Sequence, residues 1–171
     1  PTMRCPFLTV LLLIAPTLPV AGPHWPQFRG PQGNGHSDAS GLPLNWSPQH
    51  NIVWQTNIHD RGWSSPVVWD QQVWLTTATE NGKQLFATCV DRDRGAILHD
   101  IKVFDVAQPL HVAAINSYAS PTPVIEPRRV YVHYGTYGTA CLDTQTGQLI
   151  WRRCDLNYDD HEGPGASPIL F

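Results

Sequence analysis

The hydrophobic positions of the chain fall in short runs, many of them alternating with polar residues. Val, Ile, Trp, Tyr and Thr dominate these runs, and Gly, Asn, Asp and Pro separate them, which is typical of strands joined by tight turns. No window shows a sustained helical period. The predicted strands are residues 66–69, 73–78, 84–90, 97–104, 123–125, 130–134, 139–142 and 149–151. The pattern therefore predicts an all-β protein.

The predicted strands form two similar units of four. A hairpin turn bounded by Asp91 and Gly95 in the first unit recurs in the second with Asp143, Thr146 and Gly147. A period of roughly 40–50 residues with four strands matches one blade of a β-propeller. We therefore predict a partial β-propeller of four-stranded antiparallel blades. Its parts are an initial strand, blade one at residues 64–105, blade two at 119–155 and the start of blade three at 166–171.

The turn of the second unit has a clear physical basis. The Asp143 side chain can accept hydrogen bonds from backbone N–H groups of its own turn, and Thr146 can add a side-chain bond. Gly147 can adopt the positive φ that closes a tight hairpin. Trp151 then lies on the outer strand, where we expect it to pack against a neighbouring blade. Trp54 lies in the predicted initial strand, which has no earlier strand in the chain to pair with.

The pattern Asp-x-x-Thr-Gly-x-x-x-Trp of residues 143–151 resembles the tryptophan-docking repeat of the pyrroloquinoline-quinone (PQQ)-like propellers. The first copy is less regular, with Arg94 and His99 at the Thr and Trp positions. Three further segments resemble the secreted bacterial branch of that family, whose role is unassigned: residues 25–31, 51–56 and 163–168. The resemblance extends over residues 25–171, and it implies a fold more strongly than an activity.

The resemblance implies two main classes of function. One is a non-catalytic binding or scaffolding propeller whose loops engage a protein or a carbohydrate. The alternative is a PQQ-dependent dehydrogenase of alcohols or sugars, in which calcium polarises the quinone. An accessory or sensor domain of a larger exported protein is a third hypothesis. The family's enzymes use adjacent cysteines and calcium-binding carboxylates, and this chain has no Cys-Cys pair. We therefore favour the binding function, expect no cofactor and assign no catalytic residues.

Two polar segments occupy the same place before each blade and form the candidate binding face. The first contains Arg61 and Trp63, and the second contains Asn116, Ser117 and Tyr118. Loops held on a rigid scaffold often carry binding residues. The alternative is that both segments only connect blades.

His161 is a further candidate for this face, in an acidic loop between blades two and three. Its neighbours are consecutive carboxylates, which point apart and are poor chelators, so we predict no metal site. His133 is expected to be a hydrogen-bonded structural residue.

The N-terminal region is predicted to direct export. Residues 1–22 form a signal peptide, starting from Met3, in which Arg4 precedes the apolar run at residues 7–15. The run is too short and too rich in Pro for a membrane span. We expect a periplasmic or secreted protein in which the Gly- and Pro-rich residues 23–50 form an extended arm.

Charge and cysteine content bear on the expected partner and on disulfide bonding. The formal net charge is −3, from 11 Lys and Arg against 14 Asp and Glu. The sequence contains no basic stripe, so we do not expect a nucleic-acid partner. Cys89 and Cys141 hold equivalent places in the two blades, which favours core packing. A tight hairpin would place Cys141 opposite Ile150, so we expect no disulfide to Cys154.

Overall fold

The computed structural model describes residues 24–157 and 160–171; the predicted signal peptide lies outside these ranges. The protein is all-β and contains two four-stranded antiparallel sheets, as expected for a partial blade arrangement. Blade one consists of β1 (Val67–Trp69), β2 (Gln72–Ala78), β3 (Gln84–Asp91) and β4 (Ile97–Asp105). Blade two consists of β5 (Val124–Glu126), β6 (Arg129–His133), β7 (Thr139–Asp143) and β8 (Leu149–Arg153). A 3-10 turn, Gly135–Tyr137, separates β6 from β7.

Both sheets are simple meanders in chain order, and each has a bulge near its last hairpin. The bulge between Cys141 and Leu142 inserts one residue into the ladder. Leu142 still pairs with Leu149, but Cys141 pairs with Trp151, so its predicted pairing with Ile150 was wrong by one residue. Cys141 and Cys89 are buried, Cys154 is exposed, and all three are free thiols.

The core lies between the two blades. Val130, Val132 and Tyr134 point into it and are fully buried, whereas Tyr131 and His133 on the opposite face of β6 are half-buried. This alternation follows from the two-residue period of a strand. The largest fully buried side chains include Trp74, Tyr134, Leu85, Ile125 and Leu142.

The two repeat turns share one geometry. Asp143 Oδ1 accepts the backbone N–H of Thr146 at 2.9 Å and its hydroxyl at 3.2 Å, as predicted. The backbone bond from Thr146 is the largest cause that lowers the Asp143 pKa. Asp91 Oδ1 likewise accepts the N–H groups two and three residues further on, at 3.0 and 2.8 Å. Gly95 and Gly147 have φ values of 71° and 70°. The first turn therefore keeps the same geometry although Arg94 stands where the second turn has Thr146.

Each of these glycines is covered by an aromatic ring from the preceding unit. A Cβ on Gly95 would lie 2.6 Å from the Trp54 indole, and one on Gly147 would lie 2.9 Å from His99 Nδ1. Trp54 and His99 thus perform the same capping in successive units. Trp151 holds the third such position, on β8, and is 41% exposed.

Residues 52–57, the predicted initial strand, form no ladder in the structure. Side chains hold this segment on blade one instead. Trp54 Nε1 donates to the Arg92 carbonyl at 2.8 Å, and the Thr56 hydroxyl donates to the Gly95 carbonyl. Residues 24–50 form turns and irregular backbone, with isolated bridges at Trp25 and Ser47. Across the described residues, no helix has the length and apolar character needed to cross a membrane.

Hydrogen bonds from backbone N–H groups to side-chain hydroxyls join the starts of the units. The Ser65 backbone N–H donates to Thr122 Oγ1 at 3.0 Å, and the Thr122 N–H donates to Ser167 Oγ at 3.0 Å. Each of these residues precedes the proline that opens a unit. Residues 166–171 form no strand in the structure, yet Ser167 is bonded to the start of blade two through the Thr122 N–H.

Candidate functional site

The two segments predicted as a binding face lie side by side. Arg61 forms an antiparallel bridge with Ala78 at the end of β2, with N–H···O distances of 3.0 and 2.8 Å. The Trp63 N–H donates to the Ala119 carbonyl at 3.1 Å, which ties the first segment to the second. The blade sheets therefore hold both segments at one end of the blade pair.

A cavity of about 110 Å³ opens where these segments meet. Its lining is mainly polar, and the segment before β5 supplies one wall while the end of β2 supplies another. The polar side chains that line it are Arg61, Thr79, Glu80, Asn116, Ser117 and Tyr118. Four predicted site residues thus converge on one pocket.

Arg61 joins this pocket to an exposed aromatic ring. Its guanidinium Nη2 donates to the Ala114 carbonyl at 2.9 Å, and its central carbon lies 5.1 Å from the centre of the Trp63 ring. This cation–π contact favours one relative orientation of the two side chains. Trp63 is 54% exposed. Glu80, exposed at the end of β2, provides the one carboxylate of the described lining.

The segment before β5 uses its polar groups to build the wall of the pocket. Asn116 Nδ2 donates to the Glu162 carbonyl at 2.8 Å, while its Oδ1 accepts the Ser117 N–H at 2.8 Å and the Ser120 hydroxyl. The Ser117 and Ser120 hydroxyls lie 3.0 Å apart, and Ser117 is 3% exposed. Asn116 and Ser117, two of the candidate binding residues, are thus hydrogen-bonded within the protein.

Two tyrosine hydroxyls bond the backbone of the loop that continues this wall. The Tyr118 hydroxyl donates to the Leu110 carbonyl at 2.8 Å, and the Leu110 N–H donates to the Tyr137 hydroxyl at 2.8 Å. Burial is the main cause that raises the pKa of Tyr137. The loop that precedes β5 is thereby fixed to blade two, which gives the pocket a rigid boundary.

His161 is exposed in the adjoining loop, one residue from the Glu162 carbonyl that Asn116 holds. Asp160 in the same loop turns toward blade two, where its Oδ2 accepts the Thr136 N–H at 3.1 Å. Within residues 24–157 and 160–171, no three His, Cys, Asp or Glu side chains are grouped to hold a metal.

His133 Nδ1 lies 2.8 Å from Thr139 Oγ1, in agreement with its predicted structural role. Burial is the main cause that lowers its pKa.

An additional charged cluster was not predicted. His59 Nε2 lies 2.9 Å from Asp100 Oδ1 on β4, and His59 Nδ1 lies 2.7 Å from Asp60. The hydrogen bond to Asp100 is the largest cause that raises the pKa of His59. The cluster fastens the segment before Arg61 to the outer strand of blade one. Only the adjacent His59 and Asp60 could have signalled it, since Asp100 is remote in sequence.

Comparison with known proteins adds no assignment: no protein-family model matches the chain, and no curated protein matches its sequence.

Proposed function

We propose that this protein is a non-catalytic binding propeller of the PQQ-like type, exported from the cell, whose inter-blade segments hold a protein or carbohydrate ligand. The observation that carries the proposal is the convergence of Arg61 and the 116–118 segment on one polar pocket, with the Trp63 ring in contact with Arg61 beside it. Pockets with a few fixed polar groups beside an aromatic ring are typical ligand sites.

The rigidity of the pocket supports binding. Asn116, Ser117 and Tyr118 are held by bonds within the protein, so the wall is formed before a ligand arrives. Pre-formed walls lower the entropy that association costs. Arg61, Glu80 and Trp63 are the groups left to meet a ligand.

Two features support the PQQ-like assignment within the proposal. The Asp143 turn has the hydrogen bonds that its motif implies, and aromatic residues cap Gly95 and Gly147 in successive units. Export rests on the sequence pattern of residues 1–22.

The test is binding to arrays of oligosaccharides and peptides, using the native protein and an Arg61→Ala/Trp63→Ala variant. Trp46→Ala is a matched control, because Trp46 is 68% exposed and belongs to the N-terminal arm. We expect a ligand that the double variant loses and the Trp46 variant keeps. Binding that is unaffected by the double substitution, or an array with no ligand, would contradict the proposal.

A further inference from the structure

We infer that the pocket beside Trp63 receives one sugar unit of an uncharged oligosaccharide, an inference that rests on the proposed function and names its ligand class. It follows from three properties of the pocket: the balance of charge in its lining, its small volume, and the exposed indole next to it.

The charges of the lining cancel. Arg61 is the one cation and Glu80 the one carboxylate among the described residues around the cavity. An acidic ligand would meet the Glu80 carboxylate, and a basic ligand would meet the Arg61 guanidinium, so each has a repulsive contact. A sugar hydroxyl both donates and accepts hydrogen bonds. Neighbouring hydroxyls can therefore accept from Arg61 and donate to Glu80, and these charge-assisted bonds are the stronger kind.

The small volume of the cavity favours the insertion of one terminal unit of a longer ligand. The cavity of about 110 Å³ is smaller than the roughly 300–1,000 Å³ of pockets that enclose a whole small molecule. A ligand that inserts one unit there must continue over the neighbouring surface. Trp63 lies on that path, because Arg61 both lines the cavity and stacks over the indole.

The indole suits the next part of such a chain. Trp63 is 54% exposed, and Arg61 covers one side of its ring at 5.1 Å, which holds the ring in place. A flat aromatic surface packs well against the C–H face of a sugar ring while the indole N–H can bond a hydroxyl. Peptides that bind as helices or as proline-rich segments instead occupy apolar or aromatic grooves, whereas the lining here is mainly polar.

The experiment is isothermal titration calorimetry of the full chain with neutral oligosaccharides of glucose or mannose. Oligomers of galacturonic acid and of glucosamine serve as charged probes. We expect saturable binding of a neutral oligomer and weaker binding of both charged ones. Trp63→Ala should lower the affinity at least about tenfold, the usual effect of removing a stacked aromatic anchor. Trp46→Ala should leave the affinity unchanged.

Glu80→Gln gives a second, independent readout. The substitution keeps the shape of an exposed side chain and leaves Arg61 as the only charge in the described lining. It should raise the affinity for the galacturonic acid oligomer relative to the neutral one. An unchanged preference would overturn the argument from charge balance.

The inference is overturned if the native protein prefers a charged oligomer, if Trp63→Ala binds as tightly as the native protein, or if no oligosaccharide saturates. Arg61-dependent binding of a peptide on the array would then leave the proposed function standing. If no ligand of either class depends on Arg61 and Trp63, both proposals fail.

Discussion

Capping of the Gly95 turn by Trp54 can be tested with a single added methyl group. In Gly95→Ala, the new Cβ would lie 2.6 Å from the Trp54 ring and 2.8 Å from Thr56 Oγ1. The residue would also keep a φ of 71°, which side-chain-bearing residues rarely adopt. The substitution should therefore destabilise blade one for two separate reasons.

The two costs can be estimated separately. Left-handed backbone costs a residue with a Cβ roughly 1–2 kcal/mol. Forcing a methyl group into a packed contact costs about 1–3 kcal/mol more. The sum is about 2–5 kcal/mol in the native background. When Trp54 is replaced by Ala, the overlap with the indole disappears, and Gly95→Ala should cost the backbone contribution plus the remaining close contact with Thr56 Oγ1.

The assay is a double-mutant cycle of Gly95→Ala and Trp54→Ala, with urea unfolding followed by far-UV circular dichroism. The two single variants are expected to couple by about 1–3 kcal/mol, in the sense that Trp54→Ala relieves part of the Gly95→Ala cost. Equal costs of Gly95→Ala in both backgrounds, within about 0.5 kcal/mol, would refute the capping contact.

Three further predictions concern ionisable groups. Backbone N–H groups lower the pKa of Asp143, so the stability lost in Asp143→Asn should be constant above about pH 4 and should vanish as pH falls through the folded-state pKa. Urea midpoints across pH measure it, and a difference that persists in strong acid would contradict it. The Asp100 bond raises the pKa of His59, so this pair stabilises fully below about pH 6.5 and less as pH rises through the folded-state pKa. Asp100→Asn should lower the urea midpoint more at about pH 6 than at about pH 9. The reverse order would contradict a stabilising His59–Asp100 pair. Burial raises the pKa of Cys89 to about 12, so iodoacetamide should label exposed Cys154 and spare Cys89 until unfolding, as peptide mass spectrometry can show. Equal labelling of both would disprove burial.

The blade strands were predictable because their signals are local. Alternating side chains and turn residues placed β2 and β8 within two residues of their observed bounds. The Asp143 turn was predictable for the same reason, since its bonds join residues two and three positions apart. Residues 52–57 satisfied the strand pattern too, but a strand also needs a paired neighbour, and the segment is held by side chains instead.

The pocket was only partly predictable. Equal places in the repeat indicated that the segments of Arg61 and Asn116 share one face. The pattern gave no sign that Asn116 bonds the Glu162 carbonyl, because that contact depends on how the loops meet in space. The pairing of His59 with Asp100 escaped prediction for the same reason.

A cofactor titration distinguishes a binding propeller from a PQQ-dependent dehydrogenase. The native protein is titrated with PQQ and calcium while tryptophan fluorescence is followed, and dye reduction is measured with a panel of alcohols and aldoses. We expect no PQQ-dependent dye reduction, together with oligosaccharide binding that does not need the cofactor. Saturable, calcium-dependent PQQ binding accompanied by dye reduction would contradict it and establish a quinoprotein dehydrogenase.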